Sequence, residues 1–148
     1  MNKHPLSIGE ARLFVTVLYG ILDSERGVFS YSRAGHELPV VVESHSLARR
    51  MPQNQGQLLG LLPAPLLDEQ QIILADQGFI LLYTDGVLDA RDSSSETFGM
   101  ECLIACLPFN KHLAAQEICD HIWQAVDAHR GSAPQCEDIT LVCVRRRH

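Results

Sequence analysis

A chain of 148 residues, 46% hydrophobic and 20% charged, is long enough to bury one core and too apolar to be disordered by composition. Its formal net charge of -6 excludes a broad nucleic-acid footprint, which needs clustered Lys and Arg; only Arg145, Arg146 and Arg147 cluster, at the C-terminus, where they read as a solvated tail. No run approaches the roughly 20 apolar residues of a membrane helix, and MNKHPLSIGEAR has no apolar signal-peptide core, so a cytoplasmic protein without membrane partners is expected.

The first predicted element is LFVTVLYGILD, Leu13 to Asp23, apolar at nearly every position and read as a strand buried on both faces. SERG supplies a turn, and VFSYSRAG returns from Val28 as the second arm of a hairpin, with Phe29 and Tyr31 on one face opposite Ser30 and Ser32. LPVVVE predicts a third strand from Pro39, where a missing N–H is tolerated. SHSLARRMPQNQGQ is polar and broken by Pro52 and Gly56, which predicts a loop, and LLGLLPAPLL has too many breakers for a long element.

QQIILA and GFILLYT predict two more strands, joined by a tight turn at Asp76, Gln77 and Gly78. After Asp85 the chain is turn-like through Ser95, and FGMECLIACL offers a short helix. The clearest helix follows, capped by Asn110, with Leu113, Ile118, Ile122, Ala125 and Val126 on one face; Trp123 reads as packing. HRGSAPQ ends it, and DITLVCVR, Asp138 to Arg145, is the closing strand. Strands first, a long helix late and a strand to close predict one α+β domain over residues 1–148.

Five cysteines, an odd number in apolar surroundings, read as buried free thiols rather than a disulfide framework. Neither Cys102 with Cys106 nor Cys119 with His121 has a recognisable zinc spacing. The chemistry lies in the acids at strand ends. Asp85 closes GFILLYT, and Glu137 and Asp138 open the last strand; if those strands are antiparallel neighbours, the three carboxylates converge at one sheet edge. Such an edge suits Mg²⁺ or Mn²⁺, hard ions that prefer oxygen. The competing reading is an aspartate that only caps its own turn, as any Asp-Gly does. A haloacid-dehalogenase-like phosphatase is excluded, because the position of its nucleophile is Tyr83.

In order, LFVTVLYGILD, YSRAGHELPVVV, LLGLLP, FILLYTDGVLDAR, ETFG and EDITLVCVR resemble the C-terminal two-thirds of a SpoIIE-type phosphatase domain, the sporulation and stress-response branch of the metal-dependent PPM family. The resemblance implies a β-sandwich of mainly antiparallel sheets flanked by helices, here without the first strand and first helices. It implies a protein serine/threonine phosphatase that uses Mn²⁺ or Mg²⁺ to activate water against a phosphorylated regulatory protein, such as an anti-sigma-factor antagonist. Asp85 and the acidic start of the closing strand, Glu137 or Asp138, would be metal ligands. Gly35, His36 and Gly86 fall in structural motifs, His36 as a turn histidine whose ring satisfies nearby backbone.

The sequence departs from the family pattern twice. Glu137 stands where the family has its ligand aspartate, and no Gly-Asp-x-x-Gly with its bridging aspartate is present. Two functions are therefore carried forward: a phosphatase domain represented by its C-terminal portion, and a catalytically inert fragment that serves as a regulatory interaction module. Without the first strand and helices, apolar sheet surface should be exposed and favour a homodimer.

Overall fold

The computed structural model describes residues 13–43, 48–108 and 112–147. The segment before Leu13, the 44–47 part of the SHSLARRMPQNQGQ loop and Asn110 lie outside the described residues. The architecture is α+β, with two antiparallel sheets and two α-helices among the described residues. The chain divides into two compact units, one made of the chain through Leu38 with Pro52–Ile73, the other of Pro39–Met51 with the chain from Leu74 onward.

The first unit holds a three-stranded sheet in the order β1-β2-β5, with β1 Val17–Asp23, β2 Val28–Ala34 and β5 Asp68–Ile73. β1 and β2 are the expected hairpin, in register from Val17 opposite Ala34 to Asp23 opposite Val28. Phe29 and Tyr31 do share a face, with ring centroids 5.9 Å apart, and both are buried. Gly20 makes room for that stack, since a Cβ there would fall 2.2 Å from the Phe29 ring. The expectation that Leu13 to Asp23 is buried on both faces is corrected. β1 is an edge strand whose Tyr19 is 65% and Ile21 62% exposed. Continuous apolar character follows from burial on both faces, but the sequence alone cannot say that a covering layer is present.

On the buried face of the same sheet sits an ion pair: Arg33 Nε lies 3.1 Å from Asp68 Oδ2, with side chains 6% and 0% exposed. Arg33 also donates to the carbonyls of His36 and Asn54, and Gln70 donates to both Asp68 oxygens. The Tyr31 hydroxyl beside them is buried and has no hydrogen-bond partner among the described residues. Burial, then the Asp68 charge, push Tyr31 up to about 12 against a lowering by Arg33. Its contribution to stability is thus complete below about pH 10 and is lost as pH rises through about 12. Since that hydroxyl is desolvated without a partner, Tyr31→Phe is expected to leave the melting temperature unchanged or slightly raised. A fall equivalent to more than about 1 kcal/mol in denaturant titration would mean that the hydroxyl is bonded in solution.

The second unit holds a four-stranded sheet in the order β4-β3-β6-β7: β3 Val40–Val42, β4 Arg49–Arg50, β6 Phe79–Tyr83 and β7 Leu141–Arg145. The expected turn between QQIILA and GFILLYT exists, with Gly78 N–H bonded to Ala75 O at 3.0 Å, but the strands it links belong to different sheets. β5 also starts earlier than expected, at Asp68. α1 is Gly99–Cys106 and α2 Ala115–Arg130. Ile118, Ile122 and Val126 are fully buried along α2 and join Val40, Leu81 and Leu103 in the core, as their 3.6-residue spacing predicts. The cap differs from the expectation: the helix starts after Ala114, whose N–H is taken by the Glu117 carboxylate, half of a capping box in which alanine has no oxygen to offer. Trp123 is 40% exposed.

All five cysteines are free, as expected, but none is fully buried: Cys102 and Cys136 are exposed and Cys106, Cys119 and Cys143 half-buried. Burial pushes Cys143 up to about 12 and Cys106 to about 11, which keeps those thiols protonated and inert.

Candidate metal centre

The site lies in the second unit, where β6 ends and β7 begins. The two strands are antiparallel neighbours, with Tyr83 opposite Leu141. Immediately beyond, Thr84 fastens the two chain segments. Its N–H donates to Thr140 O at 3.2 Å, its hydroxyl donates to Asp138 O at 2.9 Å, and the hydroxyl oxygen accepts from Thr140 N–H at 2.9 Å. This role of Thr84 was not anticipated; a hydroxyl residue just before the Asp-Gly was the available signal.

Asp85, Gly86 and Val87 then form a single 3-10 turn. Gly86 is buried against the partner segment so tightly that a Cβ would sit 2.5 Å from Asp138 O and 3.2 Å from Glu137 Cβ. The three predicted acids are therefore brought to the same edge. Glu137 and Asp138 lie in the approach to β7, not in the strand, which starts at Leu141. Asp85, Glu137 and Asp138 are all solvent-exposed. Asp85 Oδ1 accepts the Gly86 N–H at 2.9 Å, so one of its oxygens does serve its own turn.

Among the described residues, no group of three or more His, Cys, Asp or Glu side chains is placed to hold an ion. Beside the turn, Gly86, Arg91, Arg130 and Glu137 line a crevice of about 10 Å³, enough for about one water.

The other two motif residues lie in the first unit. Gly35 has φ +69°, a conformation that glycine adopts without strain. His36 Nδ1 is 3.3 Å from Thr16 Oγ1, so among the described residues its ring meets a side-chain hydroxyl. Its carbonyl is the group held by Arg33.

Residues 2–147 match the protein family described as Stage II sporulation protein E (SpoIIE). The chain belongs to the SpoIIE family. Protein IcfG of Synechocystis is 32% identical over 138 residues, which is 93% of this chain and 22% of IcfG. Two solved structures share the fold. The SiaA-PP2C domain of Pseudomonas aeruginosa has a TM-score of 0.78 at 17% identity, over 97% of this chain and 56% of that one. The phosphatase domain of the cell fate determinant SpoIIE from Bacillus subtilis, presoaked with Mn, has a TM-score of 0.65 at 14% identity, over 90% of this chain and 57% of that one. The SpoIIE-type chain thus spans about a fifth of the curated relative and little more than half of these structures. No helix among its described residues is long and apolar enough to cross a membrane.

Proposed function

We propose that these 148 residues are the C-terminal portion of a single metal-dependent protein serine/threonine phosphatase domain that acts in the cytoplasm on a phosphorylated regulatory protein. The ions are Mn²⁺ or Mg²⁺, and Asp85 with Glu137 or Asp138 contributes part of the coordination. The observation that carries this reading is the packing of Gly86 on the Asp138 backbone and the Glu137 Cβ, which holds two acidic segments at one sheet edge. Exposed carboxylates are what a hydrated hard cation needs, and membership in the family supports a phosphatase-type reaction. An anti-sigma-factor antagonist is the substrate type that the sporulation and stress-response branch suggests. The open edge of β1 also allows two copies to pair strand to strand.

The shortage of ligands favours a second reading: the chain keeps the fold and serves as an interaction module without chemistry of its own. One experiment separates the two. Purified 1–148 is expected to bind Mn²⁺ weakly, with binding weakened further by Asp85→Asn. An ion held by one or two carboxylates keeps most of its waters, so turnover of p-nitrophenyl phosphate should fall below that of a complete two-metal phosphatase by several powers of ten. Turnover that returns when a polypeptide carrying Gly-Asp-x-x-Gly is added supports the phosphatase reading. Mn²⁺ binding indifferent to Asp85→Asn, with no turnover under any addition, leaves the module. Strong Mn²⁺-dependent turnover by 1–148 alone would show that the metal site is complete without further ligands.

A further inference from the structure

The β6–β7 ladder ends on a rung in which a side chain stands in for the backbone. Arg146 N–H donates to Gly78 O at 3.0 Å and Thr84 N–H to Thr140 O at 3.2 Å, at the two ends of one register. Positions an even number apart on an antiparallel strand belong to the same class of pair, so Thr84 and Thr140 form a hydrogen-bonded pair, the kind that exchanges two N–H···O=C bonds. One of the two is the Thr84 N–H bond. For the other, the Thr140 N–H goes to the Thr84 hydroxyl oxygen at 2.9 Å, and the Thr84 carbonyl accepts the Val87 N–H at 3.0 Å, the bond that closes the 3-10 turn around Asp85.

We propose that Thr84 is a positioning residue for the acidic edge: its hydroxyl replaces its own carbonyl in the ladder, which frees that carbonyl to turn the chain and set Asp85 against the 137–138 segment. The inference rests on the metal-dependent reading above and adds an uncharged residue to it. The backbone at Thr84 is extended, with φ -89° and ψ 159°, and its hydroxyl makes no capping bond to the turn that follows. It is therefore not the helix cap that a threonine in this place usually supplies. The hydroxyl reaches across to the other segment, where it donates to Asp138 O at 2.9 Å while accepting from Thr140, so both its roles are in use. Asp138 O is also the atom nearest the Cβ position of Gly86. The carbonyl that Thr84 holds is thus the one on which the Asp85 turn packs.

Without the hydroxyl, two demands fall on one carbonyl. A ladder bond lies across the strands, in the sheet, whereas a 3-10 bond runs along the axis of the turn to the residue three positions on. One C=O direction does not serve both. If Thr84 O returns to Thr140, the turn opens and carries Asp85 away. If the turn stays, the Thr140 N–H and Asp138 C=O lose their partner and the 137–138 segment comes loose. Either way the separation of Asp85 from Glu137 and Asp138 changes. Serine keeps the arrangement because it carries the same hydroxyl on Cβ; valine keeps the branched shape and loses it.

Thr84→Ser and Thr84→Val in 1–148 test this with two readouts: hydrogen exchange of the Val87 and Thr140 amides, which needs no metal, and Mn²⁺ affinity by titration calorimetry. Thr84→Ser is expected to keep both amides protected and to bind Mn²⁺ as the parent does. In Thr84→Val at least one of the two amides should exchange about tenfold faster, as for one lost hydrogen bond, and Mn²⁺ should bind about tenfold more weakly, the usual cost of losing a group that orients a ligand. Gly99→Ala, strained at φ +68° but with nothing within 4 Å of its added Cβ, controls for general loosening and should keep the parental affinity. Should Thr84→Val fail to fold, Thr84→Ala carries the same comparison. Both amides still protected in the hydroxyl-free variant, or parental Mn²⁺ affinity in it, would overturn the proposal, as would a Thr84→Ser that binds no better than Thr84→Val. A parent that binds no Mn²⁺ sinks the phosphatase reading instead, and the two amides then decide the role of Thr84 by themselves.

Discussion

Arg33→Met is expected to be among the most damaging single changes in the first unit, at about 3–5 kcal/mol, because it leaves the Asp68 carboxylate buried and without its ionic partner. The guanidinium also serves the carbonyls of His36 and Asn54, which lose their donor at the same time. Gln70 still donates to Asp68, but an amide dipole does not neutralise a buried charge. For a chain of this size the loss corresponds to a fall of roughly 10 °C in melting temperature, a large share of a typical domain's stability. Thermal melts of Arg33→Met, of Asp68→Leu and of the pair together check it. The double variant should recover much of the loss, since the charge and its counter-charge leave together. Single variants within about 1 kcal/mol of the parent would show that water reaches the pair in solution. Burial also predicts that 1 M salt leaves the effect largely intact, where a surface pair would be screened.

Element types were readable from the sequence wherever the local pattern and the packing agree. The 3.6-residue spacing of Ile118, Ile122 and Val126 found α2, and the alternation of Phe29 and Tyr31 with Ser30 and Ser32 found β2 and its faces. The acidic edge was legible for the same reason: an apolar run ending in Asp-Gly and another starting after Glu-Asp require only one antiparallel pairing to meet. Partnering was less legible. The tight turn at Asp76 to Gly78 has the local chemistry of a hairpin, yet β5 pairs with β2 and β6 with β3 and β7, a choice made by non-local contacts. The exposure of β1 was hidden for a similar reason. Arg33 and Asp68 are 35 positions apart, and no spacing rule joins them; each alone looks like a surface charge.

Gly86→Ala is expected to separate the two halves of the acidic edge. The added Cβ would lie 2.5 Å from Asp138 O and 3.0 Å from Asp138 C, both backbone atoms, so no side chain can rotate away to make room. The 137–138 segment must then shift, and it is tied down by the Thr84 hydroxyl on Asp138 O and by the Thr84 and Thr140 backbone bonds. Overpacking of this kind costs about 1–3 kcal/mol, with the loss of a Thr84 bond adding about 1 kcal/mol where the segment gives way. Gly99→Ala is the control that isolates the cause. Gly99 has φ +68° and nothing within 4 Å of its Cβ position, so its penalty is conformational strain alone, about 1 kcal/mol. Gly86 is not among the positive-φ glycines, so its penalty is steric alone. Denaturant titration should therefore rank Gly86→Ala below Gly99→Ala in stability. Mn²⁺ affinity should fall further in Gly86→Ala and stay at the parent value in Gly99→Ala, because only the first substitution moves Asp85 relative to Glu137 and Asp138. Equal Mn²⁺ affinity in both variants would mean that the close approach at Gly86 holds the sheet edge together without setting the distance between the carboxylates.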